Sequence, residues 1–476
     1  MSIHTIPVHP VQQVEFDAGL IQRLSQSGPR YTSYPTADRF TEQFGFRDYL
    51  HAVNHLHARG ARQPLSLYVH IPFCDTVCYY CGCNKIVTKN RDKATTYLDY
   101  LKRELAMQGK LFNGYNQVEQ LHFGGGTPTY LSDDQMSDLM QHLCRWFNFA
   151  DDAKGEYSIE VDPRSVTVER IHSLRAQGFN RISLGVQDFD EQVQRAVNRI
   201  QPEHVTLDTI RATRTAGFRS ISIDLIYGLP KQTLASIAQT ITKVIAADPD
   251  RIAVYHYAHL PHLFKPQRRI AEDDLPNSDT KLDMLAFCIR QLNEAGYVYI
   301  GMDHFAKPGD ELAVAQRQGL LHRNFQGYST HAESDLIACG VSAISSVGMC
   351  YSQNAKTIED YYDRLDQGEL PVIRGYKLTM DDVLRRFIIQ RLMCNFELSI
   401  RSLEQAYPIK FDSYFELELK QLGELQQLGL LTINSEWIDV TLKGRLLIRN
   451  ICMVFDRHLQ QAKHLYSPSL RYSRTV

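Results

Sequence analysis

No uninterrupted apolar run in the 476-residue sequence reaches the roughly 18 residues that a membrane-spanning helix needs. Residues 1–13 carry neither an apolar segment nor a small-residue cleavage site, so no secretory leader is expected. Charge of one sign is also scarce. The 52 Lys and Arg nearly cancel the 54 Asp and Glu, and a net −2 gives no bulk attraction to nucleic acid or an anionic membrane. No Gly-Lys-Ser/Thr ending follows the glycine run at 124–126, which excludes a phosphate loop there. No second Cys-x-x-Cys lies downstream of residue 83, so the paired knuckles of structural zinc are missing. Ten cysteines without paired spacing in a long chain read as reduced thiols, and a cytoplasmic location follows.

What is present is an ordinary globular balance, 43% hydrophobic and 22% charged, with length for two or three domains. The densest chemistry lies at 68–85, Tyr-Val-His-Ile-Pro-Phe-Cys-Asp-Thr-Val-Cys-Tyr-Tyr-Cys-Gly-Cys-Asn-Lys, which holds Cys74, Cys78, Cys81 and Cys83. The run 65–71 is β-branched and aromatic enough for a buried strand. Pro72 cannot continue a sheet, so the chain leaves the strand and forms a loop carrying the thiols. Thiolates on one tight loop suit a soft metal centre, zinc or iron–sulfur. The spacing decides: three thiolates separated by three and then two residues hold three irons of a [4Fe–4S] cube and leave the fourth open. The runs that serve plain ferredoxins differ.

Strand-like runs at 65–71, 118–123, 157–161, 181–186, 220–226, 251–257 and 297–302 alternate with helical patterns at 95–112, 133–147, 168–176, 205–216, 234–247 and 281–295. That alternation predicts a parallel sheet with helical crossovers, with chemistry at the carboxyl ends of the strands. Gly124, Gly125 and Gly126 follow the second strand, where a bare backbone can approach a ligand. Glu160 ends the third strand, placed to accept from ribose hydroxyls or an ammonium group, or to pair with Arg164 or Arg181. Gln187 and Asp188 end the fourth, Asp224 and Tyr227 the fifth, and Ala258 the sixth. Such a ring of polar groups at one mouth points to a ligand site.

Outside this region, 27–37 is too rich in turn formers for a helix and reads as a surface arm or a lid. The strings 303–305, 322–328 and 340–345 are dense in hydrogen-bonding and aromatic groups. Beyond 370 the pattern is helical, at 380–394 and 414–428, then two short strands and a helix at 443–455. That order resembles winged-helix DNA binders. The 15 Lys and Arg against 11 Asp and Glu there are too few and too scattered for a phosphate footprint, so the segment reads as a cap.

Cys74, Cys78, Tyr80 and Cys81 form a Cys-x-x-x-Cys-x-aromatic-Cys string similar to the signature of the radical S-adenosylmethionine (SAM) enzymes. With Cys83, the Tyr-Thr-Ser-Tyr-Pro run at 31–35, the Met-Asp-His-Phe run at 302–305 and the string 322–328, the chain resembles the oxygen-independent coproporphyrinogen III oxidases from 27 to about 455. The resemblance implies an α/β fold: an N-terminal arm or lid (1–60), an incomplete (β/α)6 barrel (61–306), an extension completing the active-site region (307–369) and a mainly helical cap with a small wing-like sheet (370–476). It implies oxidative decarboxylation of the ring A and B propionates of coproporphyrinogen III to vinyls, initiated by a 5′-deoxyadenosyl radical.

The cofactors implied are one [4Fe–4S] cluster on Cys74, Cys78 and Cys81, and two SAM molecules. Cys83 is expected outside the ligand set, because the fourth iron must stay open. The cluster-bound SAM would meet Tyr68, Gly125, Glu160 and Ile344. The second would meet Tyr80, Gly126, Thr127, Gln187, Arg199, Asp224 and Ala258. Tyr80 stands where Phe is also common, which keeps the stacking surface. Four propionates call for cationic donors, and Arg30, Arg268 and Arg323 are the candidates. No catalytic acid, base or nucleophile is named. A low-potential electron donor, an unidentified acceptor and a monomeric state complete the expectation, with no nucleic acid and no membrane insertion. The rival is a haem chaperone of the same superfamily, which usually carries Phe where Cys83 stands and lacks the arm. Another radical SAM activity, such as methyl transfer or RNA modification, would add a second cysteine cluster or a basic domain.

Overall fold

The run 65–71 alternates Leu67, Val69 and Ile71 with Ser66, Tyr68 and His70, and forms β1 (Leu65–Ile71) in the middle of a 12-stranded sheet. The computed structural model describes residues 14–58, 63–113 and 117–463; the leader-free reading of 1–13 falls outside them, as do the end of the expected arm and 464–476 of the expected cap. Beside β1 lie β2 (Val118–Gly125), β3 (Glu156–Val161), β4 (Arg181–Gln187), β5 (Ser220–Tyr227) and β6 (Arg251–His256), each parallel to the one before. The crossovers are α1 (Asp92–Leu111), α2 (Asp133–Trp146), α3 (Val168–Ala176), α4 (Glu203–Thr215) and α5 (Leu234–Ala246), and α6 (Ser278–Glu294) follows β6. Capping boxes at Ser132 with Gln135 and Thr233 with Ser236 satisfy the first amides of α2 and α5, which fixes where each crossover begins.

Leu121, Phe123, Ile159, Leu184, Ile221, Ile223, Leu225 and Ile252 are fully buried in one core beneath the helices. The alternate positions carry His122, Ser158, Glu160, Ser183 and Asp224, so the other face of the strands is polar. This is the incomplete (β/α)6 barrel that the resemblance implies. Its floor is closed by ions: Arg181 pairs with Glu156 and Glu311, and Arg251 with Asp310.

Both edges depart from expectation. The run expected at 297–302 forms β7 (Val298–Gly301) at the far edge, because the chain reverses at Met302, in the left-handed region at φ +54°, and β8 (His304–Ala306) inserts antiparallel between β7 and β6. At the other edge β9 (Asp335–Cys339) pairs in parallel with β1, and β10 (Ile344–Val347), β11 (Cys350–Asn354) and β12 (Val372–Lys377) continue antiparallel. Sequence alternation gives no warning of these four strands.

Past β12 the helix Met380–Asn395 leads to the expected small sheet, Leu431–Ile433 with Trp437–Val440, joined by Glu397–Ser399. The helix expected at 443–455 is broken into a 3-10 turn, Gly444–Leu447, and Ile448–Val454, with Gly444 pressed against the Leu430 carbonyl. The segment 27–37 is not a surface arm. Tyr31 and Tyr34 are fully buried, Tyr31 Oη donates to Asp456 Oδ2 at 2.9 Å, and Arg449 Nε donates to Pro29 O at 2.9 Å. The arm is wedged between barrel and cap. Among the described residues no helix is long and apolar enough to cross a membrane.

Candidate active site

Pro72 ends β1, and the loop it starts is fastened at almost every step. Ile86 N donates to Pro72 O at 2.7 Å, Thr88 N to Cys74 O at 3.0 Å, Asn198 Nδ2 to Val77 O at 2.8 Å and Gln267 Nε2 to Tyr80 O at 2.9 Å. Lys85 Nζ donates to Cys81 O at 3.1 Å, and His70 Nε2 lies 3.0 Å from Asn84 O. The glycine run is tied to the same loop, with Gly126 N donating to Ile71 O and Thr127 N to Phe73 O, both at 2.8 Å. Each glycine is required by space. A Cβ on Gly124 would lie 2.9 Å from the Glu160 carboxylate, and one on Gly126 2.7 Å from Phe73 O. Gly125 adopts φ +116°, and its Cβ would lie 2.6 Å from the His70 ring.

The result is one cavity of about 450 Å³ at the carboxyl ends of the strands. Cys74, Cys78, Cys81 and Cys83 line it, with Tyr80, Gly125, Gly126, Thr127, Glu160, Gln187, Arg199 and Asp224. Tyr68 is not among the lining residues, but its ring stacks on His122 (5.8 Å, 13°), whose Nε2 is 3.2 Å from Glu160. Ile344 stands on β10, two residues from the Leu336–Ser346 pair, and Ala258 lies over a second cavity. The structure does not bring these two to the cavity wall. Asp188, expected at the mouth, is buried and bonded to Gln232 and Thr240; Tyr227 lines the second cavity.

Burial acts with different outcomes on two carboxyls of the cavity. Desolvation favours neutral Glu160, yet the His122 imidazole and the Gly125 amide (3.2 Å) outweigh it and hold the carboxyl below the usual range. The alternative pairing with Arg164 or Arg181 is not made, those two being held by Asp162 and by Glu156 and Glu311. Among the described residues Asp224 has only the Ser183 hydroxyl at 3.3 Å as a donor; desolvation, with the Glu160 charge behind it, pushes it up to about 7. Arg199 donates to Asp162 Oδ2 at 3.0 Å and approaches Cys78 Sγ at 3.6 Å, while its Nε is buried and finds no partner among the described residues. Gln187 sits at φ +70°, a strained conformation for a residue with a side chain, which turns it into the cavity.

The arginines named for propionates are dispersed. Arg30 pairs with Asp303 and lines the second cavity, of about 180 Å³, with Tyr227, His256 and Arg449. Arg323 is buried and donates to Arg30 O. Arg268 is exposed on the turn Lys265–Arg269 and donates to Pro261 O at 3.0 Å. Sequence reasoning missed His70, His122, Asn198 and Gln267. For the first two a signal existed: His70 sits two positions from Tyr68 and His122 two from Gln120, each pair on one face of its strand.

The model of the radical SAM superfamily matches residues 68–244, and that of the HemN C-terminal domain matches 378–447. Oxygen-independent coproporphyrinogen III oxidase of Escherichia coli is 52% identical over 98% of this chain and 100% of its own length. That of Pseudomonas aeruginosa is 51% identical over 97% and 99%. The chain belongs to the oxygen-independent coproporphyrinogen III oxidases. A solved coproporphyrinogen III oxidase of E. coli, described as a radical SAM enzyme, superposes with a TM-score of 0.89 at 51% identity, covering 94% of this chain and 100% of that one. Membership of this oxidase family makes the chain a radical SAM oxidoreductase with a [4Fe–4S] cluster and SAM, and the chaperone reading is not favoured.

The residues fit those groups. Among the described residues no three His, Cys, Asp or Glu side chains are gathered tightly enough for a single metal ion. The Cys74, Cys78 and Cys81 thiols are instead spread around a larger space, with Thr127 Oγ1 3.5 Å from Cys74 Sγ. Thiolate is the ligating form. Burial raises Cys74 to about 11, whereas the Cys83 thiol beside it and the Lys85 ammonium draw Cys81 down to about 5.

Proposed function

We propose that the chain converts the ring A and B propionates of coproporphyrinogen III to vinyls, giving protoporphyrinogen IX and two CO2 in anaerobic haem biosynthesis. The observation that carries this is the single cavity uniting three thiols with the glycine run and the polar strand ends. When bound, the cluster and SAM supply one electron and the carbon radical that removes a propionate β-hydrogen. The chain's own residues position and shield. Cys74, Cys78 and Cys81 would hold the cluster, with Cys83 outside the ligand set. Tyr68, Gly125, Glu160 and Ile344 would hold the cluster-bound SAM, with the ionised Glu160 facing its cationic groups.

A second SAM would meet Tyr80, Gly126, Thr127, Gln187, Arg199, Asp224 and Ala258. Gln267 supports that assignment by linking Ala258 O (3.2 Å) to Tyr80 O, which brings the outlying residue beside the loop. Arg268 is the most exposed of the three propionate candidates; Arg30 and Arg323 would act by holding the arm. The reading takes 1–60 as an arm against the active-site region, 61–306 as the partial barrel, 307–369 as its extension and 370–476 as the cap. It also takes the protein as a cytoplasmic monomer served by a low-potential donor and a separate acceptor. Oxygen-free incubation with coproporphyrinogen III, SAM and dithionite is the test. Vinyl products and deoxyadenosine are expected; stoichiometric haem binding without turnover would overturn the reading.

A further inference from the structure

The loop bearing Cys74, Cys78 and Cys81 has a second face, backed by the segment 85–93, Lys-Ile-Val-Thr-Lys-Asn-Arg-Asp-Lys. This segment carries four cations and one carboxylate in a chain whose net charge is −2. Phe73 and Cys74 pair in parallel with Ile86 and Val87, which sets Val87 opposite Cys74, at the ~4.8 Å spacing of neighbouring strands. The Thr88 N to Cys74 O bond at 3.0 Å and the Lys85 Nζ to Cys81 O bond at 3.1 Å tie the same segment to two of the thiol-bearing residues. Val87 is 43% exposed, and Lys89, Arg91 and Lys93 are exposed around it. An adjoining hollow of about 480 Å³ is lined by Asn84, Ile86, Lys93 and Lys356. The carboxylates of this face are Asp92, Glu359 and Asp75, the last paired with Arg91 at 2.7 Å, so the cations are in excess.

We propose that this face is the docking surface for a small acidic electron-transfer protein, an inference that rests on the function proposed above. The reaction needs one electron per SAM cleaved. The carrier is oxidised by one electron and the cluster reduced by one; no bond or proton changes at this surface. SAM and substrate would fill the cavity at the strand ends, whereas Val87 and the Thr88–Cys74 hydrogen bond make a route one strand wide from solvent to Cys74, which would hold the cluster. A cationic rim around a small apolar spot matches an acidic rim around a redox centre and steers its approach.

Reduced flavodoxin is the probe. The Lys89→Glu/Lys93→Glu holoenzyme is expected to show an at least tenfold lower second-order rate of cluster reduction by flavodoxin at low ionic strength. Its equilibrium binding of oxidised flavodoxin, read without turnover, weakens as well. Dithionite-driven turnover stays unchanged, and Lys410→Glu/Lys420→Glu on the cap changes nothing. In the wild type, added salt lowers the flavodoxin rate. Unaltered flavodoxin binding and reduction in the variant would overturn the proposal. So would a parallel fall in dithionite-driven turnover, which would make the lysines supports of the loop. Failure of wild-type turnover with dithionite would instead strike the function itself.

Discussion

Glu104 on α1 is fully buried, and among the described residues no cation pairs with it. Its carboxyl accepts from Gly340 N at 2.7 Å, Asn354 Nδ2 at 2.7 Å and Tyr361 Oη at 2.5 Å. Desolvation outweighs those three donors and raises it from 4.5 to about 7. Between those two values the folded chain keeps a proton that the unfolded chain has lost. Stability therefore falls as pH rises across this window, by about 1.4 kcal/mol per pH unit, and levels off above 7 after a loss of about 3 kcal/mol. Glu104→Gln abolishes that slope. Its amide can still accept from Gly340 and Tyr361 but turns a donor toward Asn354, whose Nδ2 keeps Gly340 O at 2.9 Å. The lost bond costs about 1 kcal/mol. The variant is thus expected to be less stable than wild type by about 1 kcal/mol at pH 4.5 and more stable by about 2 kcal/mol at pH 8, crossing near pH 5. Urea unfolding of both proteins at four pH values reads the difference, in which all other titrations cancel. A difference that stays constant from pH 5 to 8 would mean that Glu104 is ionised throughout, and the desolvation argument would be refuted.

Cys74→Ser, Cys78→Ser and Cys81→Ser should each leave the anaerobically reconstituted protein without its cluster, while Cys83→Ser keeps full iron and sulfide; a Cys83→Ser protein as empty as Cys78→Ser would make Cys83 a ligand. Gly125→Ala combines about 1–2 kcal/mol for a side chain at positive φ with about 1–3 kcal/mol for overpacking against His70, so its unfolding midpoint should drop clearly and SAM binding be lost; unchanged stability would show that the turn relaxes freely. Asp224, raised to about 7, loses its proton across the neutral range. Equilibrium dialysis should therefore find the second SAM bound more weakly as pH falls below 7, and Asp224→Asn should remove that dependence; equal wild-type affinity at pH 6 and pH 8 would separate Asp224 from the cationic ligand.

Much of the site was legible because its signals are local. Cys74, Cys78 and Cys81 are fixed by spacing, Gly124 to Gly126 by composition, and Glu160, Gln187 and Asp224 by standing at the ends of strands whose period is 2. What escaped depends on long-range pairing. Val298–Gly301 carries a good strand pattern, but nothing local says that His304–Ala306 will fold back between it and β6. Asp188 and Gln187 are neighbours in sequence; only the left-handed turn at Gln187 sends one into the cavity and the other beneath it. Ser27 to Ala37 shows turn formers and tyrosines equally compatible with a surface or an interior path. The choice is made by Arg449, Asp456 and Tyr351, all more than 300 residues away.

The same long-range ties explain why the thiol loop can serve two directions at once. Facing the cavity it meets Gly125, Glu160 and Arg199; facing solvent it is backed by Ile86 and Val87. A loop held by one end would move when a ligand entered, and the three thiols would move with it. Here the hydrogen bonds to Pro72, Cys74, Val77, Tyr80, Cys81 and Asn84 come from four separate stretches of chain, at His70, 85–88, Asn198 and Gln267, so no single displacement releases it. Rigidity of this kind is what electron entry from one side and radical chemistry on the other both need, because each depends on distances that must not change while the other is under way. The sequence spends its strained and space-limited residues on that loop, Gly125, Gly126 and Gln187 among them, rather than on the hydrophobic core, where size and hydrophobicity alone suffice.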